Sequence, residues 1–158
     1  MIWRAVLAAA LVATAAPGMA QTLPLGANLE RFAYPFPVRW HEAPSQGGTV
    51  RMAYMDIAPT ARANGRTLVL LHGKNFCAAT WGQTARTLAA KGYRVIVPDQ
   101  VGFCKSSKPA GYQYSFQALA ALTAGLLERA GADKVTMVGH STGGILGIRF
   151  ALAYPDHV

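Results

Sequence analysis

The sequence predicts an α/β domain: a mostly parallel sheet with helices on both faces and an antiparallel N-terminal edge. Three observations carry this reading. Short, continuous apolar runs rich in branched residues (TLVLL, YRVIV, KVTMV) recur along the chain, as strands buried on both faces do. Longer stretches with helical spacing alternate with them, which calls for right-handed crossovers and a parallel sheet. Ahead of the first run, VRWHEA and TVRMAYMDI flank PSQGG, the pattern of two strands joined by a turn.

Taken in order, residues 1–20 stand outside the fold. MIWR is a short positive region, AVLAAALVATAA is an apolar run of twelve, and PGMA supplies a helix breaker with small residues Gly18 and Ala20. That is a secretory signal peptide cut after Ala20. A run of twelve is too short to span a bilayer, which takes about twenty residues. The expectation is therefore an exported chain, periplasmic or secreted, with no stable membrane anchor after cleavage. Residues 21–36, rich in proline and aromatics, form an irregular lead-in, and residues 37–158 form the folded domain.

Within that domain, DIAPTARANGR is a polar loop and TLVLLHG a buried strand. TWGQTARTLAAKG follows with Trp81, Ala85, Leu88 and Ala89 on one helical side and Gly92 as a stop. YRVIVPD is a second buried strand, and SFQALAALTAGLLERAGA a long amphipathic helix ending near Gly131. KVTMVGH is a third buried strand, and STGGILGIRFALAYP a helix that Pro155 ends. Ligand chemistry in open sheets of this kind sits beyond the carboxyl ends of the strands. The loops HGKNF, PDQVGFCKSS and GHSTGG all fall there.

Composition narrows the function. The formal charge is +8 over 158 residues, but the basic residues are scattered, with no basic face and no aromatic–basic ladder. Nucleic-acid binding is a poor reading. No histidine–carboxylate pair has metal-ligand spacing, so neither a metal nor a cofactor is expected.

GHSTGG carries the chemistry. G-x-S-x-G between a buried strand and a helix is a sharp turn that holds its serine strained and exposed at the head of the helix. Ser141 is the candidate nucleophile. Gly139 and Gly143 are expected where a Cβ would collide with the neighbouring strand or helix. The amide of Thr142 and one from the HG loop, Lys74 first and Asn75 second, are the candidate oxyanion donors for acyl transfer. His72 reads as a packed or backbone-bonded turn histidine. His140 reads as a packing residue pointing away from the site, and His41 as too far off on an early strand.

LLHGKNF, PDQVGFCKSSKP and VGHSTGG, in that order, resemble the N-terminal half of the α/β-hydrolase fold superfamily, over roughly residues 37–158. The resemblance implies an incomplete α/β-hydrolase fold whose nucleophile is Ser141 and whose oxyanion amides belong to Thr142 and Lys74. It implies a structural role for Asp99 and a turn resembling D-x-x-G-x-G at residues 99–104, with Cys104 in place of the last glycine. It sets the strands before HGKNFC and PDQVGFC side by side, bringing Cys77 and Cys104 to one rim. The pair then reads either as a disulfide or as two small buried thiols. Dehalogenases and epoxide hydrolases of the superfamily carry aspartate at the nucleophile position; Ser141 disfavours those branches.

A serine nucleophile needs a base and an acid that orients it, and the superfamily places them later, acid before histidine. After Ser141 stand only Asp156 and His157, adjacent in YPDHV, which reads as a surface turn. The expectation is an N-terminal fragment that lacks the triad acid and base, with an unfinished sheet and an open edge. When complete, it would be an exported serine hydrolase acting on a small-molecule acyl substrate. A carbon–carbon bond hydrolase of the same fold, or a non-catalytic module that keeps the elbow, are the alternatives.

Overall fold

The computed structural model describes residues 23–158; the signal-peptide expectation lies outside them. Two antiparallel strands open the domain, β1 (Val38–Ser45) and β2 (Gly48–Ile57), turning at Gln46 and Gly47, both at positive φ. β3 (Thr67–Leu71), α1 (Gly82–Ala89), β4 (Arg94–Pro98), α2 (Phe116–Arg129), β5 (Val135–Gly139) and α3 (Thr142–Ala153) follow. A 3-10 turn, Ala78–Trp81, leads into α1, and another, Pro155–His157, follows α3. Residues 23–36 hold neither helix nor strand.

The sheet order is β1-β2-β4-β3-β5. β4 pairs antiparallel with β2 and parallel with β3, and β3 pairs parallel with β5. The mixed sheet with its antiparallel edge is the expected one, and the strands before HGKNFC and PDQVGFC are neighbours.

Alternation along each central strand sorts side chains onto two faces. Val69, Leu71 and Ile96 join Met52 and Tyr54 under α2 and α3, where Leu126, Leu146 and Phe150 complete one cluster. Leu68, Leu70, Val95 and Val97 point the other way, onto Ala78, Ala85 and Ala89 at α1. Apolar side chains on both faces explain why these strands read as unbroken apolar runs.

The helix ends follow local chemistry. The Ser115 hydroxyl caps α2 by accepting from the Ala118 amide at 3.1 Å. Gly131, at φ 61°, ends it as the sequence predicts. Gly92 stops the α1 segment at φ 86°, where a Cβ would lie 2.4 Å from the Arg62 carbonyl oxygen. Arg94 ties the far end of the sheet together. Its guanidinium pairs with both Asp56 oxygens at 3.0 Å and donates to the Ala130 and Gly131 carbonyls at the C-terminus of α2.

β5 departs from expectation. Its sequence reads as a strand buried on both faces, yet Thr136, Val138 and Gly139 are exposed and only Val135 is buried. α3 covers one face, with Gly147 close against Met137, while α1 packs on β4 at the sheet's other side. Among the described residues nothing covers the opposite face of β5 or pairs with its outer edge. Ile145, Ile148 and Leu152 of α3 are exposed beside it.

Phe150 is fully buried between sheet and helices. Phe150→Ala is expected to lower the unfolding free energy by about 3–5 kcal/mol, read from urea titration. A loss under about 1 kcal/mol would mean that this cluster is not the stabilising core.

Candidate active site

β5 delivers Gly139 and His140 to the carboxyl end of the sheet, where the His140 amide donates to the Leu71 carbonyl at 3.0 Å. The chain then reverses at Ser141, at φ 54° and ψ −122°, and α3 begins at Thr142. A non-glycine residue in this region is strained, and the strain holds because both neighbours are packed closely. A Cβ on Gly139 would stand 2.3 Å from the Gly143 carbonyl oxygen, and one on Gly143 would stand 2.2 Å from that of Leu71. Any side chain at either position would push α3 off the sheet. Ser141 itself is exposed, at the turn where the sequence expects an exposed serine.

The HG turn after β3 lies against this elbow. A Cβ on Gly73 would be 3.1 Å from the Ser141 Cβ and 2.9 Å from the His140 Nδ1. His72 is 3 % exposed and neutral, because burial drives its pKa below the ordinary histidine value. Its Nε2 accepts from the Gln100 amide at 3.0 Å, so its Nδ1 carries the proton and donates to the Gly73 carbonyl at 2.9 Å. That carbonyl also accepts from the Phe76 amide at 3.1 Å. The Gly73–Lys74 peptide is planar, so pinning its oxygen on one side turns the Lys74 N–H to the other. His72 is thus the backbone-bonded turn histidine that the sequence predicts.

Among the described residues the amides of Thr142 and Lys74 donate to no protein group. Both residues line one cavity of about 350 Å³. Its remaining wall is largely apolar: Phe103, Tyr114, Phe116, Leu119 and Leu146. The macrodipole of α3 adds partial positive charge at the Thr142 end. A developing oxyanion between these amides would find two unpaired donors and a favourable field.

Asp99, at the end of β4, is fully buried. Its Oδ1 accepts from the Ala78 amide at 2.7 Å; its Oδ2 accepts from the Lys105 amide at 3.0 Å and from the Tyr34 hydroxyl. Burial, and then the bond to Asp99, push the Tyr34 phenol far above its ordinary pKa, so it stays a donor. These bonds make Asp99 structural, as the resemblance implies. The structure joins Cys77 to Cys104 in a disulfide, with the Cα atoms 5.7 Å apart. Cys77, Asp99 and Cys104 are close enough to resemble a metal-ligand trio. Both sulfurs are bonded to each other, however, and both carboxylate oxygens already accept protein donors.

The other histidines stay apart from the serine's chemistry. His41 lies on β1 beside Gly125 of α2. His140 is exposed, and packs edge-on against the Phe76 ring at 5.5 Å beside the HG turn. Asp156 and His157 sit beyond the far end of α3, whose twelve residues span about 18 Å. His157 packs edge-on against Phe150 and Tyr154. Sequence reasoning missed Tyr34 and the aromatic wall. Tyr34 sits in a segment with no periodicity, and Tyr114 in a loop, so neither carries a local signal.

A family profile described as the alpha/beta hydrolase fold matches residues 66–158. The chain belongs to the α/β-hydrolase family. It is 59 % identical to a probable hydrolytic enzyme from Pseudomonas aeruginosa PAO1, with a TM-score of 0.82 over 84 % of this chain and 42 % of that one. Epoxide hydrolase A from Mycobacterium thermoresistibile superposes at a TM-score of 0.63, 32 % identical over 77 % of this chain and 37 % of its own. Among curated relatives, a 2-hydroxy-6-oxo-2,4-heptadienoate hydrolase from Pseudomonas putida F1 is 35 % identical over 96 residues, covering 60 % of this chain and 35 % of that protein. A haloalkane dehalogenase from Mycolicibacterium paratuberculosis is 33 % identical over 137 residues, or 83 % and 42 %. This α/β-hydrolase chain thus spans less than half the length of these relatives.

Two outcomes follow from the site. Ser141→Gly should raise the unfolding free energy by up to about 1 kcal/mol, since glycine tolerates positive φ; an unchanged or lower value would mean that the elbow is unstrained. Burial lowers the folded pKa of both His72 and His41, the latter also repelled by Arg129. Below about pH 6.5 the unfolded chain binds protons that the folded chain refuses. Stability should therefore be full above that pH and fall as pH drops below it. Urea titrations at pH 7.5 and 5.5 check this, and equal free energies would contradict it.

Proposed function

We propose that this chain carries the nucleophile and oxyanion donors of a serine hydrolase that acts on ester or related acyl bonds through an acyl-Ser141 intermediate. The observation that carries the reading is the backbone of Ser141. It is held at φ 54° at the head of α3, against an HG turn whose Lys74 amide is unpaired among the described residues. The Ser141 hydroxyl gives its proton to a base as its oxygen attacks the acyl carbon. The carbonyl oxygen becomes an oxyanion that the Thr142 and Lys74 amides stabilise. As the intermediate collapses the base gives that proton to the departing alcohol; water, deprotonated by the same base, then attacks the acyl-serine, and the acid leaves as Ser141 regains its proton. The reading requires a histidine base and an orienting acid, which the described residues do not bring to Ser141. The apolar cavity would take the acyl group. The mature enzyme would be exported, cut after Ala20, and would work without a cofactor.

A second reading keeps Ser141 and changes the substrate to a carbon–carbon bond. It is favoured by relatives from Pseudomonas putida and Burkholderia cepacia named as hydrolases of 2-hydroxy-6-oxo dienoates, and one from Paraburkholderia phymatum named as a hydrolase of 2-hydroxy-6-oxononadienedioate or 2-hydroxy-6-oxononatrienedioate. Dehalogenases and epoxide hydrolases, also among the relatives, carry aspartate where this chain has Ser141, so their chemistry is not proposed.

The protein expressed from its own gene should react covalently with a fluorophosphonate probe, and Ser141→Ala should abolish the labelling. A well-folded product that does not label would refute the enzyme reading. Ester and diketone panels then separate the two substrate classes.

A further inference from the structure

The loop that bears the Lys74 amide is poorly held by packing. Lys74, Asn75 and Phe76 are exposed, and Asn75 takes a positive φ of 67°. Its entry is anchored through the Gly73 carbonyl, as described above. Its exit is anchored at Cys77 by the bond to Cys104, whose Sγ also lies 3.3 Å from the Phe76 carbonyl oxygen, and one residue later by the buried Ala78 amide on Asp99.

The segment that receives the bond is held firmly. In the turn after Asp99, the Ser106 hydroxyl is fully buried, donates to the Asp99 carbonyl at 2.7 Å and accepts from the Ala53 amide at 2.9 Å. The Gly102 amide closes the turn on the Ser107 carbonyl at 2.8 Å. Cys104 itself sits at φ 49°, where glycine would be free of strain, and the superfamily's turn carries glycine at that position. A strained cysteine there is explained by what its sulfur does.

We propose that the Cys77–Cys104 disulfide is a positioning device for the Lys74 amide, so that acyl transfer is fast in the oxidised protein and slow once the bond is reduced. The inference rests on the reading of Lys74 as an oxyanion donor. Donors must stand within about 2.7–3.1 Å of the oxyanion, and a displacement of about 1 Å can cost a hundredfold in rate. With the bond cut, the exposed residues 74–76 and Cys77 are left spanning the Gly73 carbonyl and the buried Ala78 amide, and a span of that length without its cross-link shifts on that scale. The disulfide also restricts the unfolded chain, as any cross-link does. The test must therefore separate stability from rate.

The protein expressed from its own gene is assayed with a short-chain nitrophenyl ester before and after treatment with a trialkylphosphine. The phosphine takes oxygen from water to become its oxide, and the disulfide gains two electrons and two protons to give two thiols. Thiol titration confirms the two states. Reduction is expected to lower kcat about tenfold or more, a displaced donor costing less than the roughly hundredfold or greater loss of a deleted one, and to leave KM within about twofold. Amide hydrogen exchange should rise at residues 74–77 and stay unchanged in β3 and β4. Cys77→Ala/Cys104→Gly removes the bond and the strain together, so it retains its fold and should show the same loss of kcat. Equal kcat with both thiols free, or a lower melting temperature alone, overturns the proposal. If the oxidised protein neither turns over ester nor labels at Ser141, the hydrolase reading fails and this inference with it. Labelling at equal rates in both redox states sinks only the inference.

Discussion

The site depends on one close approach: the first turn of α3 against the ends of β3 and β5. Gly139 and Gly143 leave no room for a Cβ there, so the helix starts directly on the strands. That contact forces the reversal at Ser141 into positive φ and leaves the serine standing clear. It also sets the Thr142 amide and the helix dipole at the cavity that Lys74 and Phe103 line. A strained residue persists only where its surroundings over-determine it. Here β5 on one side and α3 on the other supply that constraint.

Around this contact the other two loops are organised by polar groups rather than by apolar packing. His72 joins the β3 loop to the β4 loop through the Gln100 amide and the Gly73 carbonyl. Asp99 gathers donors from Tyr34, Ala78 and Lys105, so that the lead-in, the start of the α1 segment and the post-β4 turn meet on one carboxylate. Burying a carboxylate is costly unless its lone pairs are satisfied, and these donors satisfy them. Losing one donor would leave a buried carboxyl oxygen short of a partner.

The fold was largely legible. TLVLL and YRVIV read as doubly buried strands because their neighbours on both faces are apolar, and Gly92 and Gly131 mark real helix stops. The elbow was legible too, since strand, G-x-S-x-G and helix are contiguous in sequence. What failed was burial that depends on remote partners. KVTMV is an apolar run like the central strands, yet β5 lies at the edge of the described sheet and three of its five residues are exposed.

The sequence by itself determined the alternation of strands and helices, the serine at the turn and the amides that flank it. Each of these is written in a local pattern of residue sizes and backbone freedom. Tertiary structure alone decided that Cys77 and Cys104 are bonded, that Tyr34 reaches Asp99, and that Phe103, Tyr114 and Leu146 share a wall with Lys74 and Thr142. Those contacts join segments distant along the chain. Only the register of the sheet and the seating of α2 and α3 bring them within a bond's reach, and no local spacing encodes that distance.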